Sequence, residues 1–425
     1  MFKLISAIII FPGVLLSNEL VCHSNKDLQG HLSFSFTSEG LSLNSCETKQ
    51  QICNSVEFKH LENHTFETSG SFIFNGSQSE TLIFDGTFEN LIVKTDYALS
   101  RSGDRLKSND IQAQFVCQIA NSVYRLFVHI FYHPDYDIPV PSTHRFVGSK
   151  FSDLYNHLQS QPFASKLKLG QPTPAPMERI LRAHSSLYVE KVSQDELSKE
   201  DLRLINLPWS QRLRNRSFLA IEGTYLTARQ ALKSGIACHV GGGTHHAHRD
   251  HGLGFCVFND LGYTAKNLIA EGHVEKVLIL DLDVHQGDGT IDICQGDPHI
   301  FTCSIHSESN FPFEKKQGWM DIGLPAGTKD EAYLDTLSQT LQSIECSLTP
   351  DLVLFDAGID VYIDDGLGNL ELSIEGIQKR DQLVLEHYRG KDIPVATVIG
   401  GGYSKDTQEL ACRHGLIFES AINYL

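Results

Sequence analysis

The sequence predicts an α/β protein: an open parallel β-sheet with helices on both faces, preceded by a small β-rich N-terminal segment. After about residue 128, four apolar runs each end in a glycine-rich polar loop, and segments with helical spacing of apolar residues separate them. Strands that alternate with helices in this way form parallel sheets covered on both sides. Before residue 128, short runs of alternating apolar and polar residues favour β-hairpins.

Length and composition set the limits of this prediction. With 425 residues, of which 41% are hydrophobic and 20% charged, the chain can bury a large core and form more than one unit. The formal net charge of −17 argues against a nucleic-acid partner bound through charge. An acidic surface would instead tolerate a cationic substrate.

The first eighteen residues have the pattern of a secretory signal peptide. Lys3 precedes an apolar stretch, residues 4–16, and polar residues follow it. The stretch is too short to cross a bilayer as a helix, so we expect no transmembrane span. The alternative is a hydrophobic N-terminus that is never processed, or a wrongly assigned start.

Residues 19–127 form the predicted β-rich segment. Polar and apolar residues alternate in 32–36 and 71–74, and Asn75-Gly76 and Asp85-Gly86 are typical hairpin turns. If this segment is exported, it could form two disulfides from its even set of cysteines, Cys22, Cys46, Cys53 and Cys117. No catalytic pattern occurs here, and the sequence predicts no function for this segment.

The third predicted segment, residues 128–425, carries the four apolar runs. They are residues 235–240, 277–280, 351–355 and 394–399. In parallel sheets the ligand site lies outside the carboxyl ends of the strands, so the four following loops should meet in one crevice. Helical spacing appears between and after them, at Leu334, Leu337, Leu341 and Ile344, and again at Leu410, Ile417 and Ala421.

The loop after the second run offers a metal site. Side chains alternate on a strand, so Asp281, Asp283 and His285 share one face where the run ends. Carboxylates at such distances repel each other unless a cation lies among them, and Zn(II) or a similar ion suits nitrogen and oxygen ligands. The alternative is an ordinary salt-bridged strand end.

Two other loops offer groups for acid–base chemistry. His245 and His246 follow three glycines, and imidazole is suited to proton transfer near neutral pH. We interpret the nearby His248 and His251 as members of a surface loop. Tyr403 also follows three glycines; it could serve packing alone, or its phenol could donate to a developing oxyanion beside a metal.

These motifs together resemble those of the zinc-dependent histone deacetylase family. The matching segments are GGGTHHAHRDHGLGFC from Gly241, DLDVHQGDG from Asp281, AGID from Ala357 and GGGY from Gly400. The resemblance extends from about residue 132 to 425 and implies an arginase/deacetylase-like fold for residues 128–425. Gln286, where many members carry a second histidine, and the segment YHPDYDIPVPSTHRF at residues 132–146 are similar to the class IV and bacterial-type branch.

The resemblance also implies a role for each residue of the site. It implies one zinc ion per chain, held by Asp283, His285 and Asp360. It implies a catalytic group made of His245 with Asp281 behind it, His246 with Asp288 behind it, and Tyr403 as the donor to the substrate carbonyl. It implies a substrate channel walled by Gly254, Phe255 and Phe311, and a structural potassium site at Asp281 and Ser304.

The expected reaction is hydrolysis of an acyl group, acetyl or longer, from lysine side chains of a protein or peptide. One alternative is an amidohydrolase of the same fold that acts on acetylpolyamines or other small amides. A two-manganese, arginase-like enzyme is disfavoured, because Gly287 stands where that site needs a carboxylate. A metal-bound but inactive binding module is the third alternative. Localisation stays open, since the signal-like start predicts export whereas the resembled family is mostly intracellular.

Overall fold

The computed structural model describes residues 127–425 in full, and of residues 1–126 it describes only the backbone of the strands. The chain divides into two compact units, Met1–Tyr124 and Arg125–Leu425.

In the first unit, all the described strand pairs are antiparallel. The strands that flank Asn75-Gly76 pair with Phe74 opposite Ser77, as the alternation predicts. The described strands are Ser6–Phe11, Val14–Ser24, Gly30–Thr37, Gly40–Thr48, Gln51–Ile52, Val56–His60, Phe66–Ser69, Phe72–Phe74, Ser77–Ser79, Leu82–Asp85, Leu91–Asp96 and Gln112–Ile119. The predicted signal peptide and disulfides depend on residues or side chains outside the described part, and both stay predictions.

The second unit is built on a sheet of eight parallel strands. In chain order the strands are β1 Val128–Phe131, β2 Leu167–Gly170, β3 Ile236–His239, β4 Val277–Asp281, β5 Ile300–Ser307, β6 Met320–Leu324, β7 Leu352–Asp356 and β8 Val395–Val398. Their order across the sheet is β2-β1-β3-β8-β7-β4-β5-β6. This open parallel sheet confirms the predicted fold class.

Helices cover the sheet and bury its central strands. Every residue of β3, β4, β7 and β8 is buried, as parallel strands with both faces covered should be. The helices are α1 Lys150–Ser160, α2 Met177–Ala183, α3 Ser186–Ser193, α4 Lys199–Ile205, α5 Gln211–Ser234, α6 Asp260–Ala270, α7 Asp288–Cys294, α8 Asp330–Ser347, α9 Ile374–Arg389 and α10 Thr407–Ile422, with short 3₁₀ turns at Pro134–Tyr136 and Ala164–Lys166. The predicted apolar spacings lie on α8 and α10, and all of their residues except the half-buried Leu334 belong to the core.

The four apolar runs of the sequence correspond to β3, β4, β7 and β8. These strands are neighbours at the centre of the sheet, in the order β3-β8-β7-β4. Their carboxyl ends therefore lie side by side, and the loops that follow them can share one site. Within the part of the chain that the structure describes, no helix is both long enough and apolar enough to cross a membrane.

Candidate active site

A cluster of three buried ligand groups lies at the carboxyl ends of β4 and β7. Nδ1 of His285 is 3.0 Å from Asp283 Oδ1 and 3.1 Å from Asp360 Oδ2. The ligand atoms of the three residues lie within 4.8 Å of one another. One nitrogen and two carboxylates at this spacing fit a zinc-class ion and leave coordination positions for water and substrate.

Backbone groups hold the two carboxylates in place. The amide of Gly401 donates to Asp283 Oδ2 at 2.6 Å, and the amide of Val284 donates to Asp360 Oδ1 at 2.9 Å. A Cβ at Gly401 would lie 2.0 Å from Asp360 Oδ2, so only glycine lets the loop after β8 approach this closely. Three different strand ends thus meet at one point.

The charges around His285 also favour a cation. Burial lowers the pKa of His285, but the carboxylates of Asp283 and Asp360 outweigh burial and raise the pKa to about 10. A proton therefore lies among the carboxylates of the ion-free protein. A divalent ion bound to the same atoms would replace that proton.

Each histidine of the adjacent pair has a carboxylate of its own. Nδ1 of His245 lies 2.8 Å from Asp281 Oδ2, and Nδ1 of His246 lies 2.7 Å from Asp288 Oδ1. All four side chains are buried, and the centroids of the two imidazole rings are 4.1 Å apart. Because a carboxylate occupies Nδ1 of each ring, Nε2 is the nitrogen left for chemistry.

The two histidines differ in charge. Burial lowers the pKa of His245, but Asp281 and Asp283 outweigh it, so the pKa lies well above the usual value. Burial and then the neighbouring His245 lower the pKa of His246 to about 4. At neutral pH the pair thus offers one imidazole that can accept a proton beside another that carries positive charge.

Tyr403 enters the site from the loop after β8. Asp365 Oδ2 accepts a hydrogen bond from the Tyr403 amide at 2.8 Å, and Asp365 Oδ1 accepts from the amides of Leu367 and Gly368. Burial, then the charge of Asp360, raises the pKa of the Tyr403 phenol well above its usual value. The hydroxyl therefore keeps its proton and can act as a donor.

Aromatic rings border both sides of this group. The Phe311 ring lies 4.8 Å from the His246 ring, and the Phe255 ring lies 6.0 Å from the Tyr403 ring. Gly254, with φ +55°, runs so close to His246 that a Cβ there would lie 2.8 Å from the imidazole. Each of the three residues predicted to wall the substrate channel thus lies beside a predicted catalytic residue, His246 or Tyr403.

The residues predicted to hold potassium also lie close together. Asp281 on β4 and Ser304 on β5 are direct partners in the parallel ladder. Ser304 Oγ lies 2.9 Å from His306 Nδ1. The ladder brings the two predicted ligands side by side, and potassium binding stays a prediction.

Comparison with known proteins decides the family. Residues 144–416, more than half of the chain, match the histone deacetylase domain model. The chain belongs to the histone deacetylase family. This finding confirms the resemblance that the sequence motifs indicate.

Several relatives share most of this histone deacetylase domain. An uncharacterized protein of Picosynechococcus sp. is 41% identical over 69% of this chain and 97% of its own length. Histone deacetylase 2 of Arabidopsis thaliana is 28% identical over 68% of this chain and 80% of its own length. The acetoin utilization protein AcuC of Staphylococcus aureus is 30% identical over 55% of this chain and 66% of its own length.

A solved structure shares the fold. The crystal structure of an HDAC homolog complexed with SAHA matches with a TM-score of 0.60 at 24% identity, over 69% of this chain and 84% of that one.

One prediction about this histone deacetylase domain is wrong. His248 is not part of a surface loop: it is buried, and its Nε2 lies 3.1 Å from Asp288 Oδ2. His251 remains partly exposed, and its ring stacks on that of His248 at 4.5 Å. The sequence gives no local signal for the burial of His248, because its partner comes from α7.

Sequence reasoning also missed Asp356, the last residue of β7. Asp356 Oδ2 lies 3.9 Å from His245 Nδ1, and both of its carboxylate oxygens are buried without a hydrogen-bond partner among the described residues. Burial, and then the charge of Asp281, raises the pKa of Asp356 well above its usual value. A signal was available, since Asp356 ends an apolar run as Asp281 does.

Proposed function

We propose that this chain hydrolyses acyl groups from lysine side chains of proteins or peptides, with one zinc ion held by Asp283, His285 and Asp360. The observation that carries the proposal is the His246–Asp288 pair beside a three-ligand cluster of the kind that leaves a metal open to substrate. When bound, a zinc ion polarises the substrate carbonyl and lowers the pKa of water to roughly 7.

His246 is the acid–base group in this proposal. Its Nε2 takes the proton of the attacking water as the new carbon–oxygen bond forms. The same nitrogen then gives a proton to the leaving amine as the carbon–nitrogen bond breaks. His245, held in its charged form by Asp281, stabilises negative charge that develops next to it. Carboxylate and amine are the products, so no oxidant or further reactant is needed.

Tyr403 supplies the donor to the oxyanion. Its hydroxyl stays protonated in the buried site, and a fixed donor stabilises charge that appears only in the transition state. Phe255 and Phe311 give the channel apolar walls, which suit the methylene stem of lysine better than a charged or branched group.

One substitution tests the proposed chemistry. Tyr403→Phe removes the hydroxyl and keeps the ring, so we expect kcat on an acetyl-lysine peptide to fall by about 10²–10³-fold with KM within a few-fold. The matched control is Tyr388→Phe on α9. Within residues 127–425, the buried Tyr388 hydroxyl has no hydrogen-bond partner, so the kcat of this variant should stay unchanged. An unaltered rate in the folded, zinc-loaded Tyr403→Phe protein would contradict the proposed role of Tyr403 as the donor to the oxyanion.

The choice of substrate decides between the proposal and its alternatives. Purified full-length protein should be assayed on acetyl-lysine peptides, longer acyl-lysine peptides and acetylpolyamines. Preference for the peptides supports the proposal, and a preference for acetylpolyamines would transfer the function to small amides. Metal binding without hydrolysis of any of these compounds would favour the binding module.

The two-manganese alternative stays disfavoured, since a Cβ at Gly287 would lie 2.3 Å from Asp281 Oδ2.

A further inference from the structure

Two buried histidines share the carboxylate of Asp288. Nδ1 of His246 lies 2.7 Å from Oδ1, and Nε2 of His248 lies 3.1 Å from Oδ2. All three side chains are less than 9% exposed. Burial raises the pKa of Asp288, but the bonds from His246 and His248 outweigh it, and the pKa lies below its usual range. The carboxylate is therefore ionised and accepts on both oxygens.

The equivalent carboxylate behind His245 is held differently. Asp281 Oδ2 accepts a hydrogen bond from His245 Nδ1, and Asp281 Oδ1 accepts one from the backbone amide of Asp283 at 3.2 Å. A backbone amide at a strand end is fixed by the sheet. At Asp288, the second oxygen is held by a side chain instead, so the orientation of this carboxylate depends on His248.

His248 is itself held in one orientation. Its amide donates to the carbonyl of His251 at 2.9 Å, and the two rings stack at 8° to each other. Nδ1 of His248 lies 3.4 Å from Asp292 Oδ2. Asp288 and Asp292 are one turn apart on α7, so the same helix face presents both carboxylates to the ring.

We propose that His248 is a positioning residue for His246, acting through the second oxygen of Asp288. His248 does not touch the aromatic walls in any of its described contacts, so it affects the proton-transfer step and not the binding of the acyl-lysine stem. Its Nε2 stops the Asp288 carboxylate from rotating, and Asp288 in turn fixes the direction in which His246 presents Nε2 to the reacting atoms. This proposal rests on the proposed role of His246.

A matched pair of substitutions tests the proposal. His248→Gln keeps an N–H donor at a reach similar to that of Nε2, and His248→Met keeps comparable bulk without a donor. Lost partners of this kind cost about 10–100-fold in activity. We therefore expect His248→Met to lower kcat on an acetyl-lysine peptide by about 10-fold or more with KM within two-fold, and His248→Gln to recover most of that loss. The control is His299→Gln, at an exposed histidine outside the site, which should behave as the unaltered protein.

A second readout does not depend on activity. The proton NMR signal of the His246 Nδ1–H, assigned by its loss in His246→Ala, should lie far downfield and exchange slowly in the unaltered protein and in His248→Gln. It should weaken or exchange faster in His248→Met. Equal kcat in the Met and Gln variants, or an unchanged signal in His248→Met, would overturn the proposal. If the unaltered protein hydrolyses no acyl-lysine while the signal follows the expected pattern, the proposed function fails and the positioning contact stands.

Discussion

The two histidines of the site show how neighbouring charges can give identical side chains opposite pKa shifts. His245 and His246 are adjacent in sequence, buried, and each is paired with an aspartate. His245 also has Asp283 within 3.8 Å of its Nε2, whereas His246 faces the positive charge of His245. The pKa values therefore move in opposite directions, and this difference is the reason that we propose His246 as the acid–base group.

The charge state of His285 leads to a prediction for metal uptake. Its pKa of about 10 means that the imidazole holds a proton at pH 7, and a ligand nitrogen must lose that proton before it can bind a metal ion. Burial raises the pKa of Asp360 to about 7, so this ligand also holds part of a proton at pH 7. Zinc added to the ion-free protein at pH 7 in weak buffer should thus bind one ion per chain and release at least one proton, mainly from His285. Titration with a pH indicator measures both quantities.

Substitution of the ligands provides the control. His285→Ala and Asp360→Ala should lose the ion and the associated proton release. Retention of a full ion in both variants would contradict the assignment of the metal site.

At the scale of elements, the central strands were predictable because burial on both faces makes them continuously apolar. The runs at β3, β4, β7 and β8 stand out for this reason, and the site residues follow them directly. The outer strand β2 is half-exposed, and β5 and β6 carry polar residues, so no such run marks them. Although β4 ends at Asp281, so that Asp283 and His285 lie in the loop after the strand, the closeness of the three residues followed from the sequence. The burial of His248 did not, because it depends on how α7 packs against a distant loop.

The close approach of the loop after β8 gives a prediction at this scale. A methyl group at Gly401 would meet the carboxylates of both Asp360 and Asp283, so Gly401→Ala should spread the two ligands and weaken zinc binding strongly. The comparison is Gly296→Ala, where φ is +77° and no atom of the described residues lies within 4 Å of the new Cβ. That variant should lose only about 1–2 kcal/mol of unfolding free energy, because alanine is strained in the left-handed region. Equal zinc affinity in the two variants, measured by calorimetry, would contradict this account.

At the scale of the whole molecule, every described residue of the site belongs to the unit Arg125–Leu425. We therefore predict that a protein starting at Arg125 is soluble, melts cooperatively and keeps the kcat of the full chain on an acetyl-lysine peptide. Insolubility or lost activity after truncation would show that residues 1–124 are needed for folding. Export directed by residues 1–18 stays a separate prediction.

The position of Phe311 bears on how this molecule can change over evolutionary time. Phe311 follows β5, toward the outer end of the sheet, whereas the predicted metal ligands Asp283, His285 and Asp360 follow the central strands β4 and β7. Lys316 holds the loop after Phe311 in place through two hydrogen bonds. Its carbonyl accepts from Gln286 Nε2, and its Nζ donates to Asp292 Oδ1. Mutations in this loop would therefore reshape the predicted channel wall and leave the predicted metal ligands in place. Under the proposed function, we expect related proteins to differ in the acyl chain they prefer before they differ in the residues of the centre.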